Sequence, residues 1–148
     1  MAVVAHNTLA ASDYGLIDQD TLKPRPNFWA AVLWKRTMGR TVLAAPAAPD
    51  RVRLFAHCLP TRNGGVGLMA INTGDAAQMP LAGPAQAWVM TGADAEMVGV
   101  KVNGAVPEMA ADGRPRGLDG VAVKGALALP AKSITFVSIA KAGNAACR

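Results

Sequence analysis

Two hydrophobic periods run along this chain, and the change between them falls at Gly39. Before it, Trp29, Val32, Leu33 and Arg36 recur at helical spacing, as do Phe28, Ala31 and Lys35, which predicts a helix over 27–38. Pro24 and Pro26 precede it, and Asn27 is a residue type that caps helix N-termini well. Lys35 and Arg36 sit in the last turn, where cations suit the helix dipole, and Gly39 is placed to stop the helix as a C′ glycine. Upstream, AVVAHNTL (2–9) reads as a short buried strand and ASDYGLIDQDTLKPRP as a loop rich in Asp, Gly and Pro.

After Gly39 the period shortens to two. Residues 41–43 form a short apolar run, ended by AAPAAPD. In 51–58, RVRLFAHC, Val52, Leu54 and Ala56 share one face of a strand, while Arg53, Phe55 and His57 share the other. TRNGG is a turn and 66–72 the returning strand, which makes a β-hairpin. Further strands are predicted at 85–91, 97–102, 125–129 and 133–140. VNG at 102–104 marks a turn, and 107–120 reads as a long loop. Together these elements predict a mainly β fold. One βα unit precedes an antiparallel β-sandwich of about seven to nine strands. One strand and one helix cannot bury their own faces, and a helix with two Trp and a Phe calls for a large partner. The strand–loop–helix order resembles the last unit of a (β/α) barrel. Without the barrel, Phe28, Trp29, Val32, Leu33 and Trp34 would form an exposed patch that drives association.

Composition narrows the partners. The 148 residues carry a net charge of +5, and eight of the fifteen basic residues lie between Lys23 and Arg62. Such a balance favours anionic partners such as acidic glycans, or it simply solvates the surface. Nucleic acid is disfavoured, because no basic stripe interleaves with aromatics. No apolar run approaches the ~20 residues of a membrane span, and 1–10 have no basic n-region, so no signal peptide is read in this chain. Two cysteines without a CxxC pair and two distant histidines, His6 and His57, make a poor metal set; His57 reads as a strand surface residue. No cofactor is implied.

Several motifs in order resemble glycoside hydrolase family 79, the family of heparanase and of plant and microbial β-glucuronidases. HNTLAASDYGLIDQDTLKPRPNFWAAVLWKRTMGRTVL is similar to the family's last barrel strand, loop and helix. RLFAHCLPTRNGGVGLMAIN resembles its strand with a His-Cys pair and the following hairpin strand, and SITFVSIAKAGNAACR its closing strand and Ala-Cys terminus. The middle, 78–120, matches loosely.

The resemblance implies residues 1–43 as a barrel remnant and 44–148 as the C-terminal sandwich of a retaining enzyme. Such enzymes work with two carboxyl groups ~5 Å apart. In the family both are glutamates on earlier barrel strands. The two glutamates here, Glu96 and Glu108, match neither, so the chain alone is expected to be inactive. The implied partner is a catalytic barrel, as a domain or a chain, with an acidic glycan substrate bound only in its company. Asn7 and Tyr14 align with positions bordering the subsite for the uronic acid; ordinary loop packing is the alternative. His6 and Asp13 depart from the family's Arg and Asn, and a carboxylate near a uronate would repel it. The resemblance also pairs Cys58 with Cys147 and implies an extracellular, periplasmic or lysosomal setting; two free thiols are the alternative. A stand-alone carbohydrate-binding or interaction sandwich is the competing reading of the whole chain.

Overall fold

A computed structural model of the chain describes residues 8–10, 12–61, 63–93 and 99–148. The element order is α1 (Pro26–Thr37), β1 (Val42–Leu43), β2 (Val52–Cys58), β3 (Val66–Asn72), β4 (Ala77–Pro80), β5 (Ala85–Gly92) and β6 (Val100–Val102). It continues with β7 (Glu108–Met109), β8 (Pro115–Arg116), β9 (Val121–Val123), β10 (Ala126–Leu129) and β11 (Ser133–Ile139). The large sheet runs β1-β2-β3-β11-β5-β6, with β9 also on β5, and its pairings are antiparallel. The last strand is thus the middle one: Phe136 of β11 faces Met69 of β3 on one side and Trp88 of β5 on the other.

Period-two alternation assigns each sheet face its own core. Along β11, Val137 and Ile139 join Val52, Ala56, Leu68 and Ala70 on one face, which is roofed by the two-stranded sheet β4–β10 through Met79, Leu127 and Leu129. Phe136 and Ile134 point to the opposite face, where Trp88, Met90 and Val102 meet Trp29 and Leu33 of α1. The sheet is therefore sandwiched between a small β layer and the helix.

This packing corrects the expectation for α1. Trp29 and Leu33 are 3% and 0% exposed, and Phe28 and Val32 pack partly against the same core. Of the five apolar residues expected on the surface, Trp34 at 38% is the exposed one. A fully buried Leu contributes about 1.5–3 kcal/mol, so the sandwich itself accounts for the helix's apolar stripe.

The helix begins one residue earlier than expected, with Pro26 at N1 and Arg25 as N-cap, and no side chain caps it. Gly39 does not end it in a left-handed turn. The glycine is needed because a Cβ there would collide with the Cys58 carbonyl, whose oxygen accepts the Gly39 N–H at 2.8 Å. Likewise a Cβ on Gly67 would fall on the Thr37 carbonyl, so β3 lets the helix end lie directly on its backbone.

Two asparagines organise the loops. Buried Asn72 donates from Nδ2 to the carbonyls of Asp75, Leu129 and Pro130 at 2.7–3.0 Å and accepts the Gly74 N–H. At 102–104 the predicted turn is present: Asn103 and Gly104 both have positive φ, 49° and 84°, and Val102 and Ala105 exchange both backbone bonds. This is a primed hairpin turn, where Asn-Gly is favoured. The Asn103 amide then fills the gap on β5 between β6 and β9. It accepts the Val89 N–H and donates to Ala87 and Asp119 carbonyls at 2.9–3.0 Å. The segment 107–120 holds the short hairpin β7–β8. The strand expected over 97–102 is observed as β6, and 94–98 lie outside the described residues.

Candidate functional site

The loop ahead of α1 is built around one carboxylate. Asp18 Oδ1 accepts the backbone N–H groups of Asp20 and Thr21 and the Thr21 hydroxyl at 3.2, 2.9 and 2.8 Å. Its Oδ2 pairs with Arg25 at 2.9 Å. These donors, the Thr21 N–H first, then the Thr21 hydroxyl and Arg25, hold the carboxyl well below the usual carboxylate range. Backbone bonds close the hairpin beside it: Asp18 N–H to Lys23 O and Arg25 N–H to Leu16 O, both 2.9 Å, with Ile17 bridged to Pro24. The Ile17 N–H reaches back to Leu9 O at 2.8 Å and closes the neck of the preceding loop.

Tyr14 stands at the tip of that loop, 57% exposed. The turn under it is fixed by Gly15 N–H to Ser12 O, 3.2 Å, and by Asn27, whose amide donates to Tyr14 O and Gly15 O at 3.3 and 3.4 Å. Asn27, expected as the N-cap, therefore bonds the loop instead. Asn7, His6 and most of the strand expected over 2–9 lie outside the described residues; Thr8 and Leu9, its last two positions, are not strand.

Glu108, exposed on β7, lines the same hollow of about 670 Å³ as Asp18, with Lys23, Arg25, Trp29 and Met109. A glycosidase acid must hold its proton near neutral pH, which requires a raised pKa. Asp18 is shifted the other way and its oxygens are already occupied by Thr21, Asp20 and Arg25, so it is not poised as such an acid. Glu96 lies outside the described residues.

The far end of α1, about 18 Å from its start at 1.5 Å per residue over 12 residues, carries the disulfide. Cys58 at the end of β2 is bonded to Cys147, with a Cα–Cα distance of 5.2 Å and a sequence separation of 89. The tail is tied further by Gly64 N–H to Cys147 O, 2.7 Å, and Asn144 N–H to Gly64 O, 3.0 Å. His57 is half-buried rather than a free surface residue. Its Nδ1 bonds Gly39 O at 2.6 Å, and because a carbonyl only accepts, Nδ1 carries the proton. The ring meets Trp34 edge-on at 5.2 Å. Both therefore wall an open groove with Lys35, Arg40 and Arg148, and no acidic side chain lines it among the described residues.

Tyr14 and the cysteine pair thus lie at opposite ends of the helix. Of the residues that order Tyr14, Asn27 is read from sequence as a helix cap, and Asp18 and Arg25 escaped the sequence reading, although Asp-x-x-Thr after a glycine turn is the spacing of a side-chain-capped turn.

No family profile matches the chain. It is 41% identical over 71 residues to heparanase-like protein 1 of Arabidopsis thaliana, covering 47% of this chain and 13% of that protein. Over 58 residues it is 38% identical to baicalin-β-D-glucuronidase of Scutellaria baicalensis, covering 38% and 11%. It aligns with heparanase of Gallus gallus at 31% identity over 165 positions, covering 98% of this chain and 31% of the relative. The chain thus spans at most about a third of these relatives. Two solved α-L-arabinofuranosidases of glycoside hydrolase family 51 share its fold. One, with arabinose bound, has a TM-score of 0.53 at 14% identity, over 88% of this chain and 22% of that one. The other, from Xanthomonas axonopodis pv. citri, has 0.50 at 18%, over 84% and 28%. The chain is a glycosidase-related domain, similar to heparanase-like and β-glucuronidase proteins of glycoside hydrolase family 79 in the manner of their C-terminal portion.

Proposed function

We propose that this chain is the C-terminal part of a retaining glycoside hydrolase of the heparanase and β-glucuronidase type, acting on an acidic glycan together with a catalytic (β/α) barrel. Residues 1–43 would complete that barrel as its last βα unit, and 44–148 would form the supporting sandwich. The observation that carries the reading is the alignment with Gallus gallus heparanase, which uses 98% of this chain and only 31% of the relative. The two nucleophilic and proton-donating glutamates would come from the barrel.

In this assembly α1 is the joint. Its inner stripe, Trp29 and Leu33, is fixed in the sandwich core, while Asn27, Ala31 and Trp34 remain exposed on its other side. The loop at its N-terminal end would deliver Tyr14 to the rim of the barrel, since barrel enzymes act at the ends of their strands where such loops emerge. Tyr14 would stack on or hydrogen-bond the sugar, and Asn7 would bond hydroxyls or the carboxylate. The disulfide supports an oxidising compartment outside the cytosol. No helix among the described residues is long and apolar enough to cross a membrane.

The test is hydrolysis of an aryl β-glucuronide by the purified chain. Turnover at the level of a buffer blank is expected, because neither glutamate of the chain, Glu96 or Glu108, matches a catalytic position of the family. Turnover that survives repurification and disappears in Glu96→Gln or Glu108→Gln would overturn the assignment. The groove of Trp34, Lys35, Arg40 and Arg148 favours one alternative, a stand-alone module that binds acidic glycans by itself.

A further inference from the structure

We propose that Asn27, assisted by Asp18, is a positioning residue for Tyr14, holding the loop tip in one place so that the aromatic ring meets the sugar in a fixed pose. The proposal rests on the assignment of Tyr14 to the sugar subsite made above. Asn27 occupies the second position of α1, and the N-cap residue, Arg25, makes no side-chain cap bond. An Asn at the N-cap satisfies a helix N–H, but at this second helical position its amide is not needed for capping. Here its amide is turned away from the helix and donates to the carbonyls of Tyr14 and Gly15, the two residues at the tip.

The helix that carries Asn27 is anchored by its buried face. Two residues beyond Asn27, Trp29 enters the core at 3% exposure, and Leu33 follows at 0%. One amide therefore connects the exposed tip to a helix whose opposite face is buried in the core. Asp18 secures the other arm. Its carboxylate ties the turn 18–21 to Arg25, the residue on which α1 begins, and the Ile17–Leu9 bond closes the neck. The tip is thus tied at both arms by groups other than the Tyr14 ring.

Tyr14 is the only tyrosine of the chain, so fluorotyrosine gives one fluorine resonance that reports the tip alone. In the full chain this resonance should be displaced from free fluorotyrosine and as broad as the folded protein requires. Asn27→Asp keeps the side-chain size but only accepts, so it cannot hold the two carbonyls. A new carboxylate in the first turn also favours the helix. The resonance should therefore narrow and move towards free fluorotyrosine while the melting temperature is not lowered, a divergence that a merely structural residue would not produce. Asn27→Gln, which keeps the donor, should retain the wild-type signal, and Asp18→Asn should loosen the tip as Asn27→Asp does.

With a barrel chain supplied, Asn27→Asp should raise KM for an aryl β-glucuronide about two- to tenfold, the range of one to two weak hydrogen bonds, with kcat nearly unchanged. An Asn27→Asp spectrum identical to wild type overturns the positioning role. So does a loosening matched by an equal fall in melting temperature. If the wild-type chain with its barrel does not turn over the glucuronide, the subsite reading falls, and the fluorine spectrum still decides whether Asn27 orders the tip.

Discussion

Removing the Cys58–Cys147 bond, as the double variant Cys58→Ala/Cys147→Ala, should cost the fold far more than the place of Cys147 one residue from the last position suggests. The bond closes a loop of 89 positions that embraces β3 through β11. In the chain-entropy treatment, a loop of this length stabilises the native state by about 4.6 kcal/mol at 25 °C, acting on the unfolded chain. For 148 residues, an unfolding entropy near 2.1 cal/mol/K per residue gives about 0.3 kcal/mol/K in total, so each kcal/mol moves Tm by about 3 °C. The variant should therefore melt about 15 °C lower. Some of the native tail geometry should persist, because the Gly64 N–H still donates to the carbonyl of residue 147 and the Gly64 carbonyl still accepts the Asn144 N–H. Circular dichroism melts of variant and wild type, each without reductant, provide the measurement. A difference below about 4 °C would refute the reasoning, as would two reactive thiols titrating in the denatured, unreduced wild type.

Other perturbations probe the remaining joints. Leu33→Ala, at a position with no exposure, should cost about 3–5 kcal/mol and loosen the Trp29–Trp88 side of the core, read from denaturant midpoints and near-UV dichroism. Asn103→Ala removes three bonds to β5 and the adjoining loop from a residue at φ 49°. A loss of about 2–4 kcal/mol is expected, with faster exchange of the Val89 N–H; unchanged exchange would contradict the bridging role. Asp18 has its folded pKa below the unfolded value near 3.9, so its stabilising effect is complete above that value. The stability gap between wild type and Asp18→Asn should be constant from about pH 5 to 7, shrink below about pH 4, and vanish once pH falls through the folded value. A gap that widens on acidification would reverse the sign of the argument.

The sequence carried much of the sandwich because period two is hard to mistake where both faces are buried or one is wet. Val52, Leu54 and Ala56 lie on the face read for them, and Asn103-Gly104 adopts the turn its residue types demand. Short strands such as β4, β7, β8 and β9 left no period to count, and β4 even ends in Pro80. The helix was legible as a helix, but its partner was not. A stripe of Trp29 and Leu33 says that something covers it, and only the fold shows that β5 and β11 do. The Cys58–Cys147 pairing came through the resemblance, not from spacing. Asp18 went unnoticed and Asn27 was read only as a cap, because an exposed Asp in a loop and an Asn after a proline look like ordinary turn and cap residues until the groups they bind are in place.

The central claim, that the chain completes a glycosidase it does not itself contain, is tested most directly by mixing it with the separately expressed barrel portion of a heparanase-like relative. The account predicts a one-to-one complex on a sizing column. Aryl β-glucuronide turnover, absent from either part alone, should return on mixing and fall on Tyr14→Ala. A chain that stays monomeric beside the barrel, restores no turnover and binds acidic glycans unaided would contradict it and favour the stand-alone binding module.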